Sequence, residues 1–389
     1  MSEQMKFKLM GLGSGENKVV DNYQDFVKSA SANNGNLIFN FALQNIVKLS
    51  GVKIRWHTKS EVLNQDGSGL LLPMANNIGP HMDLLKSGPK LEGVNVPVVI
   101  MGIGVQFNLD DDVTTGASRV PEGSISWLKH LGDMSEMANI SVRGSMTKSF
   151  FEHIGLGHKV VALGCPSHFI SRNKTLGEAL GKKSRAITKA SLANGIGITA
   201  GSPHKPQLAI LERFLIKILT EYGGSYLVQD PSDLIKLAEG WAKAEDKDSI
   251  ETIRERWFPE STLEQMQTWF RRFSRTYVSV PQWFSDVSKH EMVVGTRIHG
   301  CQVALQSGVP TVCLYVDSRT KELCETMQVP CLEARKFQKD PNIDQLIETV
   351  ANWDWRRYDE NRIGLAKKTV DFANDNGLPL THHLQELVS

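Results

Sequence analysis

The sequence of 389 residues lacks several features that define specialised classes of protein. It has no apolar run near the roughly 20 residues that a membrane-spanning helix needs, so an integral membrane protein is not expected. Its 44 basic and 43 acidic residues almost cancel, and the missing basic surplus argues against nucleic-acid partners. Residues 1–10 contain no apolar segment of the kind that signal peptides carry. These absences predict a globular, cytoplasmic protein.

Cysteine is also scarce, and its spacing excludes two further classes. The five cysteines are Cys165, Cys301, Cys313, Cys324 and Cys331. They form an odd number, contain no CxxC pair and lie partly in apolar surroundings. A disulfide framework or a zinc site needs paired or regularly spaced thiols. We therefore expect reduced thiols and no bound metal.

Short apolar runs alternate with helical segments along the whole chain, a pattern typical of α/β proteins with parallel sheets. The length favours two domains. We predict one α/β domain over residues 1–175 and a second over 190–355. Residues 172–194 are polar and basic, and we interpret them as the linker between the domains. Two such domains leave a central cleft, and ligands of open parallel sheets bind beyond the carboxyl ends of the strands.

The segment after the strand Met292–Val294 is the strongest candidate site under this rule. Thr296 is predicted to cap a helix over Ile298–Gln306, which places Arg297 and His299 at its first turn. Backbone N–H groups and the helix dipole favour an anion at that position. An isolated histidine is more often structural than catalytic, but an Arg-x-His pair at a strand-to-helix turn favours function.

Arg143 occupies a similar position after the short strand Ile140–Val142. A solvated arginine or a simple ion pair explains it equally well from this segment alone. Two arginines at strand ends, one in each domain, suit the bidentate binding of phosphate and carboxylate across a cleft.

The segment Asn33–Asn36 opens the first clear helix, predicted over Leu37–Leu49. A helix cap with a turn glycine at Gly35 is the simpler interpretation of this segment. A helix start rich in amides, such as those of Asn33 and Asn36, can also hold an anion or orient sugar hydroxyls.

Three further strand-end loops give weaker signals. Gly102 and Gly104 follow an apolar strand, but the third glycine of a dinucleotide fingerprint is missing, and the chain has no Walker-type motif. Ser202 lies in a loop that could approach a ligand closely. His168 follows another strand, and most histidines in such positions do not touch substrate.

These pieces, in this order, resemble the polysaccharide pyruvyl transferase family. The most specific motif is G-x-R-x-H-[GS], present as Gly295–Gly300, and Asp317-Ser318-Arg319 follows it in family order. The resemblance covers roughly residues 30 to 325. Many members have Asp where this chain has Asn36, so any acid or base role of that Asp must be filled otherwise here or is only structural.

The resemblance implies a GT-B-like arrangement of two Rossmann-like domains, with the C-terminal segment 360–389 packing back on the first domain. It also implies transfer of pyruvate from phosphoenolpyruvate to a sugar, forming a cyclic ketal in exopolysaccharide or cell-surface glycan synthesis. Phosphoenolpyruvate is then a co-substrate, no separate cofactor is expected, and a lipid-linked saccharide acceptor with peripheral membrane contact fits the pathway.

Within this resemblance we assign an acid–base role to His299, the side chain best suited to proton transfer near neutral pH. We assign Arg143 and Arg297 to the phosphate and carboxylate of the donor. The predicted substrate-binding residues are Asn33, Gly35, Asn36, Gly102, Gly104, Ser202, Thr296, His168 and Arg319.

Two other functions remain open on the sequence. A GT-B glycosyltransferase that uses a nucleotide sugar would share the cleft and the basic side chains, although nothing clearly supplies a clamp for the nucleotide base. A catalytically silent glycan-binding protein would not need Arg143, Arg297 and His299 together.

Overall fold

Two parallel β-sheets, each of six strands and flanked by helices, form the fold. The computed structural model describes residues 5–11, 20–30 and 32–389. The predicted absence of a signal peptide concerns residues 1–10, which lie partly outside these ranges. The two parallel sheets confirm the predicted α/β class with two Rossmann-like units.

The strands are short and mainly apolar, as expected where helices cover both faces of a parallel sheet. The first sheet contains β1 (Phe7–Met10), β2 (Leu49–Ile54), β3 (Gly69–Pro73), β4 (Val98–Ile103), β5 (Ile140–Val142) and β6 (Val160–Ala162). The second contains β7 (Ile196–Thr199), β8 (Gly224–Leu227), β9 (Ser274–Arg275), β10 (Met292–Gly295), β11 (Thr311–Tyr315) and β12 (Cys331–Glu333). Every residue of β4 and of β10 is buried.

The helices fall into two groups along the chain. Those up to the second sheet are α1 (Tyr23–Ala30), α2 (Gly35–Ile46), α3 (Ser60–Leu63), α4 (Leu84–Ser87), α5 (Val113–Ala117), α6 (Glu122–Asp133), α7 (Ser145–His153) and α8 (Leu176–Ala186). The later ones are α9 (Ala209–Tyr222), α10 (Ser232–Glu239), α11 (Lys247–Trp257), α12 (Leu263–Phe273), α13 (Val280–Val287), α14 (Ile298–Gln306), α15 (Ser318–Met327), α16 (Ala334–Phe337), α17 (Ile343–Ala351), α18 (Trp355–Asp375) and α19 (His382–Val388). Across the described ranges, no helix is both long and apolar enough to cross a membrane.

The order of the strands determines where each sheet opens a crevice. The second sheet has the order β12-β11-β10-β7-β8-β9, and the first has the order β2-β1-β3-β4-β5-β6. In the second sheet the connections run to opposite sides of the pair β7 and β10. A crevice at such a switch point, beyond the carboxyl ends of the strands, is where ligands of this architecture bind. The loops after β7 and β10 therefore border the expected site.

Helix α2 and the C-terminal helices connect the two halves of the chain. The N-terminal part of α2, including Leu37 and Phe39, packs into the core of the second sheet. Its later residue Leu43 packs into a core with β1, and Leu365 of α18 and Leu384 of α19 join the same core. The C-terminal helices thus lie against the first sheet, although the chain reaches them after the second.

The segment 172–194 is not the open linker that its polar composition predicts, because residues 176–186 form helix α8. Leu176 and Leu180 lie on the buried face of this helix. The carboxylate of Asp359 in α18 accepts hydrogen bonds from the backbone N–H of Gly177 at 2.7 Å and of Glu178 at 3.1 Å. These bonds satisfy donors of the first turn of α8 and fix it against α18. The segment still joins the two sheets, and the exact domain boundaries stay predictions.

Helix α15 of the second sheet docks directly on the first domain. The Ser318 hydroxyl donates to the carbonyl of Phe107 at 2.9 Å and accepts from its N–H at 3.0 Å. The buried carboxylate of Glu322 accepts from the Thr147 backbone N–H at 2.7 Å and from its hydroxyl at 2.8 Å, at the first turn of α7. Burial raises the pKa of Glu322, and the two bonds from Thr147 offset part of this effect. These contacts hold the two walls of the cleft together.

Candidate active site

One polar pocket lies where the carboxyl ends of both sheets meet. The first half of the chain contributes Asn33, Asn36, Asn76 and Arg143 to its wall. The second half contributes Gln229, Thr296, Arg297, His299 and Arg319 among others. Seven of the residues predicted as functional thus come together: Asn33, Asn36, Arg143, Thr296, Arg297, His299 and Arg319.

Arg143 reaches the pocket from the turn between β5 and α7 and is only 1% exposed. Its Nε donates to the carbonyl of Gly102 at 2.8 Å. A Cβ atom at Gly104 would lie 2.5 Å from Cδ of Arg143, so only glycine fits there. Both predicted glycines therefore hold Arg143 rather than line the pocket. Burial and, less strongly, nearby Arg319 lower the pKa of Arg143 to about 10, which leaves it charged at neutral pH.

Arg297 has far more partners than Arg143. It forms an ion pair with Asp230, whose carboxylate accepts from Nη1 at 3.2 Å and also from Nη2. Nε donates to the carbonyl of Ala200 at 3.1 Å, and Nη2 also donates to that of Gly201 at 3.3 Å. Four of the five N–H groups of the guanidinium are engaged in this way. The charge of Arg297 is therefore largely balanced inside the protein.

A buried carboxylate supports the loop that holds Arg297. Glu212 of α9 accepts from the backbone N–H of Gly201 at 3.3 Å and from the hydroxyl of Tyr226 at 2.5 Å. Burial raises the pKa of Glu212, and its two hydrogen bonds and Arg297 act in the opposite direction. The hydroxyl of Thr199 also accepts from the backbone N–H of Arg297 at 3.1 Å. Arg297 is thus fixed from the strand end as well as by its side chain.

His299 lines the pocket from the first turn of α14. Its Nε2 is 3.8 Å from Sγ of Cys165, and its ring packs against Phe39 with centroids 5.6 Å apart. Burial, followed by the positive charges of Arg143 and Arg319, lowers the pKa of His299 to about 3. The imidazole is therefore neutral at physiological pH and less basic than that of an ordinary histidine.

Arg319 brings a second charge to the pocket from the start of α15. Its Nη2 lies 3.1 Å from the carboxylate of Asp317, which caps the same helix. Nε of Arg319 is buried and has no hydrogen-bond partner in the described part of the chain.

Lys205 lies 3.9 Å from Asp317, and burial lowers the pKa of Lys205. The sequence reasoning overlooked Lys205, although its position soon after the end of β7 is the signal that could have identified it.

The start of α2 meets the second sheet at the edge of the pocket. Asn33 donates from Nδ2 to the carboxylate of Asp230 at 2.6 Å. A Cβ at Gly35 would lie 2.8 Å from Oε1 of Gln229 and 3.2 Å from Nδ1 of His299, so this glycine makes room for both side chains. Gln229 and Asp230 follow β8, and the sequence reasoning missed both.

Besides the three predicted glycines, two predicted substrate-binding residues are absent from the pocket wall. His168 is fully buried, and its ring packs edge-on against Tyr358 of α18 at 5.2 Å. Burial lowers the pKa of His168 to about 3, and nearby Arg362 acts in the same direction. Ser202 is half-buried in the loop after β7 and is absent from the pocket wall. Neither residue enters the site that we propose.

Thr296 lines the pocket but is not the cap of α14. The helix spans Ile298–Gln306, as predicted, and Arg297 is its N-cap residue, without a capping side-chain bond. The predicted cap lies one residue too early, because the backbone is still extended at Arg297 and becomes helical only at Ile298.

Comparisons with known structures find only distant similarity. The chain is similar to the S. aureus MnaA–UDP co-structure at 10% identity and a TM-score of 0.44, covering 95% of this chain and 98% of that one. It is also similar to an α,α-trehalose-phosphate synthase (UDP-forming) from Burkholderia vietnamiensis at 10% identity and a TM-score of 0.35, covering 95% and 75%. No curated protein matches the sequence.

The sequence pattern of one family gives a far more specific result. It matches residues 25–318, more than half of the chain, and this range contains Asn33, Arg143, Arg297 and His299. The chain belongs to the polysaccharide pyruvyl transferase family.

Proposed function

We propose that the protein transfers the pyruvyl group of phosphoenolpyruvate to two hydroxyls of one saccharide residue, forming a cyclic ketal during glycan synthesis. Family membership supports the reaction class. The observation that carries the proposal is the placing of Arg143 and Arg319, from opposite walls of the cleft, around His299 in one pocket.

The anionic donor requires positively charged side chains, and the pocket contains guanidinium groups. Phosphoenolpyruvate carries a phosphate and a carboxylate close together. Arg143 and Arg319 present guanidinium groups, which bind such anions with paired hydrogen bonds. Both side chains are largely shielded from water, so their charges act more strongly than at an open surface. Asp317, the partner of Arg319, is shared with Lys205, whereas Asp230 balances Arg297 alone. We therefore assign the donor anion to Arg143 and Arg319, and we treat Arg297 as a charge-balanced neighbour.

His299 is the proposed base. Neutral imidazole takes the proton from the first sugar hydroxyl as its oxygen attacks C2 of the donor. In the same step the methylene carbon C3 takes up a proton and becomes the methyl group, so the proton gained at C3 balances the proton lost by the hydroxyl and no carbanion forms. The bound trianion offsets the charges of Arg143 and Arg319, so we expect the pKa of His299 to rise when the donor binds.

The second half of the reaction releases phosphate. The second hydroxyl attacks C2, the bond from C2 to the phosphate oxygen breaks, and the hydroxyl proton leaves through His299 to phosphate or solvent. One donor and one diol thus give one ketal and one phosphate. The bonds made and broken need no serine or cysteine nucleophile and no electron acceptor, so the proposal includes no cofactor beyond the co-substrate.

The proposal is tested by product analysis. Purified protein is incubated with phosphoenolpyruvate and a panel of methyl glycosides whose hydroxyls at C4 and C6 are free. We expect phosphate release that depends on the glycoside, together with a ketal product in the mass spectrum. Release of a nucleotide from UDP- or GDP-sugars, without any ketal from phosphoenolpyruvate, would replace this proposal with a glycosyltransferase activity.

A further inference from the structure

Two sets of residues line the pocket, which we call its cationic side and its neutral side. Arg143 and Arg319 form the cationic side. Arg143 has no carboxylate within salt-bridge distance in the described ranges. Asp317 is paired with Arg319 but also lies 3.9 Å from Lys205, so two cationic side chains share one carboxylate and the set keeps a positive charge.

On the neutral side, Arg297 is paired with Asp230 alone, so the pair carries little net charge. Gln229, which also lines the pocket, adds an uncharged amide. An anionic donor is attracted to the cationic side, and the neutral side suits an uncharged, hydroxyl-bearing ligand.

Gln229 is the least satisfied polar group on the neutral side. It is 2% exposed, and its Nε2 has no hydrogen-bond partner within residues 5–11, 20–30 and 32–389. A buried amide without a partner costs about 1–3 kcal/mol, so proteins rarely keep one without a reason. A ligand in the pocket can supply the missing partner.

Glycines on two different helices make the slot that Gln229 occupies. A Cβ at Gly35 of α2 would lie 2.8 Å from Oε1, and a Cβ at Gly300 of α14 would lie 2.7 Å from Nε2. Any side chain at either position would displace the amide. The slot therefore holds the Gln229 amide beside His299, whose Nδ1 is 3.2 Å from the same Cβ position at Gly35.

The backbone around Gln229 is also fixed. Its carbonyl accepts from the backbone N–H of Asn34 at 3.3 Å. The next residue, Asp230, is held by Nδ2 of Asn33 at 2.6 Å and by the guanidinium of Arg297. The backbone that carries the Gln229 side chain is thus fixed by the start of α2 and by Arg297. A fixed backbone and a close-fitting slot limit the positions of the amide, as the orientation of a substrate requires.

We propose that Gln229 binds a hydroxyl oxygen of the saccharide acceptor and so helps determine which sugar is used. An amide can donate to and accept from a hydroxyl, which has the same dual character. Its position beside His299 places that hydroxyl next to the proposed base. This inference rests on the proposed function, because it assigns the acceptor to a pocket whose cationic side is taken by phosphoenolpyruvate.

The test compares Gln229→Met with Gln302→Met. Methionine keeps the length of the side chain and removes the amide. Gln302 is a matched control, because it is also a buried glutamine but lies on α14 outside the pocket wall. Two quantities are measured for each variant and for the wild type: the rise in melting temperature with phosphoenolpyruvate, and KM for the methyl glycoside that the wild type uses best.

We expect Gln229→Met to raise KM for the glycoside about tenfold or more, the loss of one buried hydrogen bond, while the stabilisation by phosphoenolpyruvate stays at the wild-type value. Gln302→Met should leave both quantities unchanged. Two results with Gln229→Met would overturn the assignment: an unchanged KM for the glycoside, or a loss of the stabilisation by phosphoenolpyruvate. It would also be overturned if phosphoenolpyruvate stabilises the wild type but no glycoside of the panel acts as an acceptor. A wild type that is not stabilised by phosphoenolpyruvate at all would instead refute the proposed function.

Discussion

Arg143 and Arg297 occupy the same local setting in the two halves of the chain, yet their contacts differ. Each follows a buried strand and precedes a helix, and each lines the same pocket. In the described ranges the side chain of Arg143 donates one hydrogen bond, to the carbonyl of Gly102, and has no carboxylate within salt-bridge distance. Arg297 is paired with Asp230 and also bonded to two carbonyls. Two arginines at the same motif position can therefore differ in whether a carboxylate balances their charge. The residues that follow neighbouring strands decide which arginine is available to an anion.

The largest expected effect is that of Arg143→Met on the use of the donor. Loss of a buried positive charge that faces the anion should lower kcat/KM for phosphoenolpyruvate about 10³-fold. Arg297→Met should cost much less, because the charge that it removes is already balanced by Asp230. Steady-state phosphate release measures both. Equal losses in the two variants would remove the distinction between the arginines.

The second largest effect is expected for His299→Gln. Its kcat should fall at least about 10²-fold, because glutamine cannot accept the proton. The stabilisation by phosphoenolpyruvate should persist, because both donor-binding arginines remain. His168→Gln is the matched control: it makes the same change in a fully buried histidine outside the pocket. Normal turnover in His299→Gln would refute its role as the base.

The two histidines also predict a dependence of stability on pH. The pKa of His168 is about 3 in the folded protein and 6.5 for an ordinary histidine, so the unfolded state binds more protons between these values. Stability that is present above pH 6.5 is therefore lost as the pH falls toward 3. Between pH 7 and pH 5 the contribution of His168 should be about 2 kcal/mol.

Urea unfolding of the wild type and of His168→Gln at these two pH values measures that contribution. The decrease in stability should be smaller in the variant by about the same amount. Equal decreases in both proteins would show that His168 does not titrate in this range.

The smallest expected effect is the coupling between Arg297 and Asp230. Their side chains are 18% and 22% exposed, so solvent screens the pair in part. A double-mutant cycle with Arg297→Met and Asp230→Asn should give an interaction free energy of about 1 kcal/mol. Strictly additive losses of stability would mean that the pair does not hold Arg297 in place.

Much of the fold could be predicted because its signals are local. The strand Thr311–Tyr315 and the helix Ile298–Gln306 lie where the apolar pattern places them. The sequence predicts a linker where helix α8 forms, because the carboxylate that accepts from the N–H of Gly177 belongs to Asp359, which lies 182 residues away in the sequence. A polar helix that is stabilised by such a distant side chain gives little local signal.

The candidate site, like the fold, has residues that local patterns predict and residues that they do not. Arg143 and His299 could be found from the turn between a strand and a helix. The pairing of Arg297 with Asp230, and the slot that fixes Gln229, depend on contacts between separate elements, and no pattern along the chain indicates them. His168 and His299 both follow strands, and only the packing of α18 over His168 separates the structural histidine from the one in the pocket.

The most direct test of the central claim is the melting temperature of the wild-type protein with phosphoenolpyruvate, compared with UDP- and GDP-sugars. At about 100 times its dissociation constant the donor should add roughly 2.7 kcal/mol of stability, a shift of a few degrees. The account predicts this shift with phosphoenolpyruvate and none with the nucleotide sugars. A shift with a nucleotide sugar and none with phosphoenolpyruvate would contradict it.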